Sequence, residues 1–320
     1  MKNYNENGNQ KKKFTLFNMN KDGKGVYEVE DRKPTLGFFF KLLFRKFSSI
    51  LQLNILMLIH IIPIFAAVFV FFSGDKTPTI TNVLYPALYG INKIAPTGSV
   101  PLLDVSGVNM GIPVFSSTTI IIFLCVALVW IITFGWQNVG SAYVLRGLFR
   151  GDPIFVFSDF FYGIKKNFKQ GLLMGLLDSL IIIVLLVDIS FFMSNTANTM
   201  LSIMYFVIIA LIFLYFIMRF YIYQLLITFD LTISKIIKNS LIFIVLGIKR
   251  NLLAFLGIVL LVALNVILIV WLMPIGIAIP LVLPLVYLAG TVGFITVYAA
   301  YPVIDKYMIE PYVNDSDDEE

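Results

Sequence analysis

Four side chains stand out because they can carry charge inside apolar stretches: His60, Asp178, Asp188 and Arg219. Ionisable groups are costly in hydrocarbon, so each calls for a partner or a function. Asp178 lies eight residues into its apolar run and Arg219 eight before the end of the next. On antiparallel helices each then sits about 12 Å from the same end, and the two should meet. Two chemistries fit such a pair. One is a structural ion pair that fixes one helix against the next; the other is a switchable pair in a proton- or substrate-coupled pathway. Asp188, near the far end of its run, reads as an interfacial carboxylate, and His60 beside Pro63 as an interhelical hydrogen-bond donor.

Other chemistry is poorly provided for. Asn18, Asn20, Asp22 and Gly23 imitate the first half of a calcium loop, but Val29 falls where a bidentate Glu is needed, so a Gly-Asp turn is expected. One histidine and one cysteine, Cys125, leave a metal cluster without ligands. No nucleophile with a base and no phosphate-binding glycine loop is visible. The expectation is a protein that is not an enzyme, with no metal and no cofactor.

The elements that must position these groups are transmembrane helices. With 59% hydrophobic residues, 13% charged residues and a mean hydropathy of +0.89, the chain is far more apolar than a soluble domain. The expected fold is all-α, a polytopic helical membrane protein with six transmembrane helices and amphipathic basic interfacial helices. The spans are read at about 48–72, 116–137, 170–193, 199–227, 252–272 and 276–301, each long enough to cross a bilayer. The second run continues into Tyr143 to Arg150 as one long helix that Gly135 and Gly140 allow to bend. A polar N-terminal tail (1–35), an outer loop (73–115) and an acidic tail (305–320) complete the chain, with the membrane domain at 36–304. Tyr85 and Tyr89 in the outer loop read as residues resting on the membrane or stacking a sugar. Trp136, Trp271 and Tyr301 read as interfacial anchors.

Basic residues set the orientation. Of the 24 Lys and Arg residues, all but Lys76, Lys93 and Arg219 fall on one side of a six-span arrangement, so both ends of the chain are expected to face the cytoplasm. Arg146, Arg150, Lys165, Lys166, Lys169, Lys235, Lys238, Lys249 and Arg250 form a basic interfacial surface in that reading. Its nearest partner is a bilayer with anionic headgroups, and no nucleic-acid-reading module is present. Gly163, Ile164, Lys165, Lys166, Asn167 recurs as Gly247, Ile248, Lys249, Arg250, Asn251, each opening a span. The repeating unit would be a basic interfacial helix followed by a helical hairpin, with residues 36–47 opening a third, degenerate copy.

Several segments together resemble the YesL-type family of bacterial membrane proteins, a domain of unknown function. They are Leu53, Asn54, Ile55, Leu56 through Pro63 and Ile64; Tyr143 to Leu145 and Arg146 through Asp152; residues 157–170; Phe229, Asp230, Thr232, Ile233, Lys238, Asn239 and Ser240; and Tyr301, Pro302, Val303, Asp305, Lys306 and Tyr307. Between about residues 66 and 139 typical members are much shorter. The resemblance implies a bacterial plasma-membrane location and an accessory or scaffold role linked to carbohydrate uptake or its regulation, with a sugar-transport system as partner. It carries over no catalytic residue. The alternative is a small-solute transporter or channel that uses Asp178, Arg219 and a sixth helix broken at Pro274, Pro280, Pro284, Gly290 or Gly293.

Overall fold

The structure is a computed structural model that describes residues 34–73, 76–77, 112–113, 117–195, 199–272, 275–277 and 279–311. The calcium-loop look-alike, Tyr85, Tyr89, Lys93, Pro274 and the acidic residues from Asp315 onward lie outside the described residues.

The chain folds into helices α1 (Leu36–Ser73), α2 (Ser117–Arg150), α3 (Val156–Lys166), α4 (Phe168–Ser194), α5 (Thr199–Thr228), α6 (Ile233–Leu246), α7 (Ile248–Leu272) and α8 (Ile279–Ile304). A π-helical turn, Asp305–Ile309, follows α8. One antiparallel pair of two-residue strands, Lys76–Thr77 against Ile112–Pro113, joins the two ends of the outer loop. Six helices, α1, α2, α4, α5, α7 and α8, are long and apolar enough to cross a membrane. Apart from that two-residue pair the described fold is helical and of the multi-pass membrane type, as the long apolar runs predict.

Two elements differ from the sequence reading. Residues 36–47 do not form a separate interfacial helix but are the first turns of α1, which runs unbroken for 38 residues. That is about 57 Å, well beyond a hydrocarbon core of about 30 Å, so the helix extends out of the bilayer without a break. The junction at Phe47, Ser48, Ser49 and Ile50 holds no helix breaker, whereas α3 gives way to α4 at Asn167 and α6 to α7 at Gly247. The other difference is α8. It passes through Pro280, Pro284, Gly290 and Gly293 as continuous helix from Ile279 to Ile304, so none of these four residues breaks it.

Packing is concentrated at the end where α2 and α5 finish and α4 and α7 begin. From Phe220 to Ile227 every side chain of α5 is buried, and so are Val297 to Tyr301 on α8. One core joins α2, α5, α6 and α8 around Tyr221, Leu225, Ile236 and Ala300. A neighbouring core joins α1, α2, α3 and α8 around Ile50, Leu53, Val144 and Phe294. The opposite halves of the spans, such as Ile120 to Val129 of α2, leave large apolar side chains exposed, as lipid-facing helices do.

Where α2 crosses α4 the contact is backbone on backbone. A Cβ on Gly135 would collide with the carbonyl of Gly171 and lie 2.6 Å from Cα of Gly175. Gly171 and Gly175 form a small-xxx-small pair that admits such an approach, and van der Waals packing of this kind is what binds helices in lipid.

Candidate functional site

The close α2–α4 crossing places Asp178, one turn beyond Gly175, against α5. On α5, Tyr215, Arg219 and Tyr223 follow at four-residue intervals and so share one helix face. All three converge on Asp178. The Tyr215 hydroxyl donates to Oδ1 at 2.6 Å and the Tyr223 hydroxyl to Oδ2 at 2.6 Å. Arg219 Nε lies 3.1 Å from Oδ1 and 3.2 Å from Oδ2. The carboxylate is 0% exposed, while the arginine side chain is 27% exposed and its guanidinium sits over the Phe134 ring at 5.3 Å. A carboxylate offers about four lone-pair positions, and three donors, the two hydroxyls and the Arg219 Nε–H between the oxygens, meet both Oδ1 and Oδ2. Burying an ion pair costs more in desolvation than attraction returns unless further hydrogen bonds complete it, and here two tyrosines do so.

The two tyrosines are the residues that sequence reasoning missed. Their spacing of minus four and plus four about Arg219 was the available signal.

His60 lies on α1 against α2. Its Nδ1 is 3.1 Å from the Thr133 hydroxyl, and its ring stacks on Trp130 at 5.3 Å. Thr133 Oγ1 also lies 2.8 Å from the Val129 carbonyl, so the hydroxyl joins the His60 ring to the α2 backbone. Asp188 is half-buried about 15 Å further along α4 than Asp178 and belongs to a different level of the bundle.

Asn54 makes a third polar contact. Fully buried on α1, it donates from Nδ2 to the Leu285 carbonyl at 2.6 Å and accepts the Gly290 N–H at 2.8 Å. Its amide thereby spans the α8 backbone just beyond Pro284, where α1 comes so close that a Cβ on Gly290 would lie 2.7 Å from the Ile50 carbonyl.

The basic end is built differently. Helix α3 seats Val156, Phe160 and Gly163 against the bundle and exposes Phe157, Phe161, Tyr162, Lys165 and Lys166. Helix α6 seats Ile236, Ser240, Phe243 and Ile244 and exposes Lys235, Lys238, Leu241, Ile242 and Val245. Lys169 and Lys249, at the starts of α4 and α7, are exposed as well, and Arg250 is half-buried. Chain connectivity puts α3 and α6 at the same end, and Gln170 Nε2 donates to the Leu231 carbonyl between them. Arg150 pairs with Asp152 at 3.6 Å, both about half exposed.

Arg146 does not belong to this surface. It turns inward and donates from Nη1 to the Ile227 carbonyl and the Thr228 hydroxyl, each at 3.0 Å, where it caps the end of α5. A cation at a helix C-terminus complements the carbonyls left open there. Tyr301 likewise is buried, 5.4 Å from the Phe149 ring, rather than an interfacial anchor.

The repeated pentapeptide has a shared geometry. Gly163 abuts Tyr143 of α2, with a Cβ 2.7 Å from the tyrosine Cβ, and Gly247 abuts the hydroxyl of Tyr221 on α5. Asn167 donates to the Gly163 carbonyl at 3.1 Å. Asn251 donates to the Ile244 carbonyl at 3.1 Å and accepts the Tyr221 hydroxyl at 2.6 Å. In each copy a long helix, a short basic helix and a second long helix meet at a glycine pressed on a tyrosine.

Fold and site together define a multi-pass helical membrane protein in which buried Asp178 is paired with Arg219 and exposed basic side chains gather at one end. Residues 109–189 match the model of a family described as "Protein of unknown function, DUF624", and the YesL-type resemblance is consistent with membership of that family. The match takes in α2, α3 and most of α4, which is the first copy of the repeated arrangement. Searches against curated proteins and against solved structures return no match.

Proposed function

We propose that this protein is a non-enzymatic accessory or scaffold of the bacterial plasma membrane that serves carbohydrate uptake or its regulation, with its basic end in the cytoplasm. The observation that carries the reading is the pairing of short basic helices. From two segments some 70 residues apart, Lys165, Lys166, Lys169, Lys235, Lys238 and Lys249 reach solvent at one end of the bundle, interleaved with exposed aromatic and aliphatic side chains. A surface of that composition suits both an anionic bilayer and an acidic face of a partner such as a sugar-transport system. The cytoplasmic orientation follows from the positive-inside rule.

The competing reading, a small-solute transporter, needs water and substrate to reach Asp178. That carboxylate is 0% exposed and both of its oxygens are held by Tyr215, Arg219 and Tyr223, which supports a structural role.

The test separates the two. Uptake of a labelled oligosaccharide is measured in a host lacking the gene, complemented with the wild type or with a variant in which Lys165, Lys166, Lys235 and Lys238 are replaced by Glu, and the purified protein is assayed alone in sealed liposomes. Rescue by the wild type but not by a correctly inserted variant, with no flux in liposomes, is expected. Solute flux by the purified protein alone would overturn the accessory reading.

A further inference from the structure

Two cavities meet at the start of α7, and they differ in chemistry. One, of about 690 Å³, is an apolar crevice between α1, α7 and α8. The other, of about 920 Å³, lies at the basic end between the start of α7, the end of α2 and the π-helical turn. Pro34 and Arg250 line both. We propose that the pair forms a binding site for one anionic phospholipid, its acyl chain in the α1–α7–α8 crevice and its phosphate beside Arg250.

The crevice has the length an acyl chain needs. On α7 its wall runs from Arg250 to Leu264, about 21 Å by helical rise, which exceeds one leaflet of a hydrocarbon core about 30 Å thick. Leu253, Leu256, Leu260 and Leu264 of that wall are about half exposed, so the face is uncovered by protein. Gly257 sits among them, and a Cβ there would meet nothing within 4 Å.

Charge selects the headgroup. Arg250 is half-buried at the junction, and its Nη2 lies 3.5 Å from the Pro34 carbonyl, which holds the guanidinium at the mouth of the crevice. Lys249 and Lys306 line the adjoining cavity, together with Arg150, which is paired with Asp152. Asp305 and Glu310 also line it. With the Arg150–Asp152 pair set aside, Lys249, Arg250 and Lys306 still outnumber these two carboxylates, so the cavity favours an anion. The guanidinium fork suits a phosphate diester, which can accept two parallel N–H bonds. An apolar trough that ends at an arginine matches an amphiphile with a phosphate at one end.

The test is lipid retention by the full chain, read by native mass spectrometry after release from detergent micelles doped with phosphatidylglycerol or phosphatidylcholine. Phosphatidylglycerol should be retained about tenfold better. Arg250→Gln should cut that preference about fivefold, the expected share of one basic residue near a membrane surface. Gly257→Phe should fill the trough without a backbone clash and lower retention of both lipids. Ser190→Ala, outside both cavities and away from the basic end, should change nothing. If Arg250→Gln fails to fold, Lys249→Gln and Lys306→Gln test the headgroup end in its place.

Three outcomes would overturn the proposal. The first is equal retention of the two lipids. In the second, glycerol phosphate, which lacks an acyl chain, competes as well as the lipid does, and the site is then one for free phosphate. The third is retention that appears only when the chain is truncated after Pro311; the acidic residues Asp315 to Glu320, not lipid, would then be the occupant.

Discussion

The charges near the Asp178 level of the bundle and those at its basic end obey opposite rules. Inside, Asp178 and Arg219 are matched one to one, and two tyrosine hydroxyls complete the carboxylate. At the basic end, Lys165, Lys166, Lys169, Lys235, Lys238 and Lys249 are exposed beside uncovered Phe157, Phe161 and Ile242. A charge in hydrocarbon must be answered within the protein, because nothing else there can answer it. A charge at the interface can be left for a headgroup or another protein. The first arrangement maintains the fold, and the second is where binding is available.

Removing Arg219 should break the inner arrangement most severely. Arg219→Ala leaves a carboxylate at 0% exposure with no counter-charge, and loss of one member of a buried pair costs about 3–5 kcal/mol. The midpoint of unfolding in detergent should fall steeply. Adding Asp178→Asn should recover part of the loss, since the amide oxygen accepts one tyrosine hydroxyl and the amide NH2 donates to the other tyrosine oxygen, without carrying a charge. If the double variant is as unstable as the sum of the single changes, the pair is not coupled and the structural reading fails.

That site shows how far a sequence can be read. The register of Asp178 against Arg219 follows from helical rise and the positions of the span ends, because antiparallel neighbours share a ruler. The tyrosines were harder to see, since Tyr215 and Tyr223 stand among Phe and Ile and look like any aromatic residue in a span. Only their spacing about Arg219 sets them apart. Arg146 resembled the surface lysines because an amphipathic basic stretch does not say which cation turns inward. The six spans were legible from hydropathy alone. The fusion of residues 36–47 to α1 was not, because a basic amphipathic helix and the protruding end of a long span have the same pattern. Only the absence of a breaker near Ser48 distinguishes them.

Asn54 offers an intermediate case, a neutral group answered inside the bundle. Asn54→Leu keeps the volume but leaves the Leu285 carbonyl and the Gly290 N–H facing an apolar side chain. Each unsatisfied buried group costs about 1–3 kcal/mol. The destabilisation should be smaller than for Arg219→Ala and confined to the α1–α8 contact. Hydrogen exchange should report it as lost protection of amides around Gly290, with those of α4 unchanged. Equal loss across α4 would mean that the two polar contacts are one cooperative unit rather than two.

The smallest expected effect is at the basic end. Replacing Lys165, Lys166 and Lys169 together by Gln removes three exposed charges that no buried group depends on, and such surface changes stay within about 0.5 kcal/mol each. The unfolding midpoint should barely move. Association with vesicles containing anionic lipid should nonetheless weaken by about fivefold for each lysine that touches the surface, and the difference should shrink as salt is raised. A variant that loses stability but not vesicle binding would reverse the contrast, because it would place these lysines among the charges that hold the fold. The expected result, binding lost and stability kept, would mark α3 as a surface whose energy is released only on contact with something outside the chain.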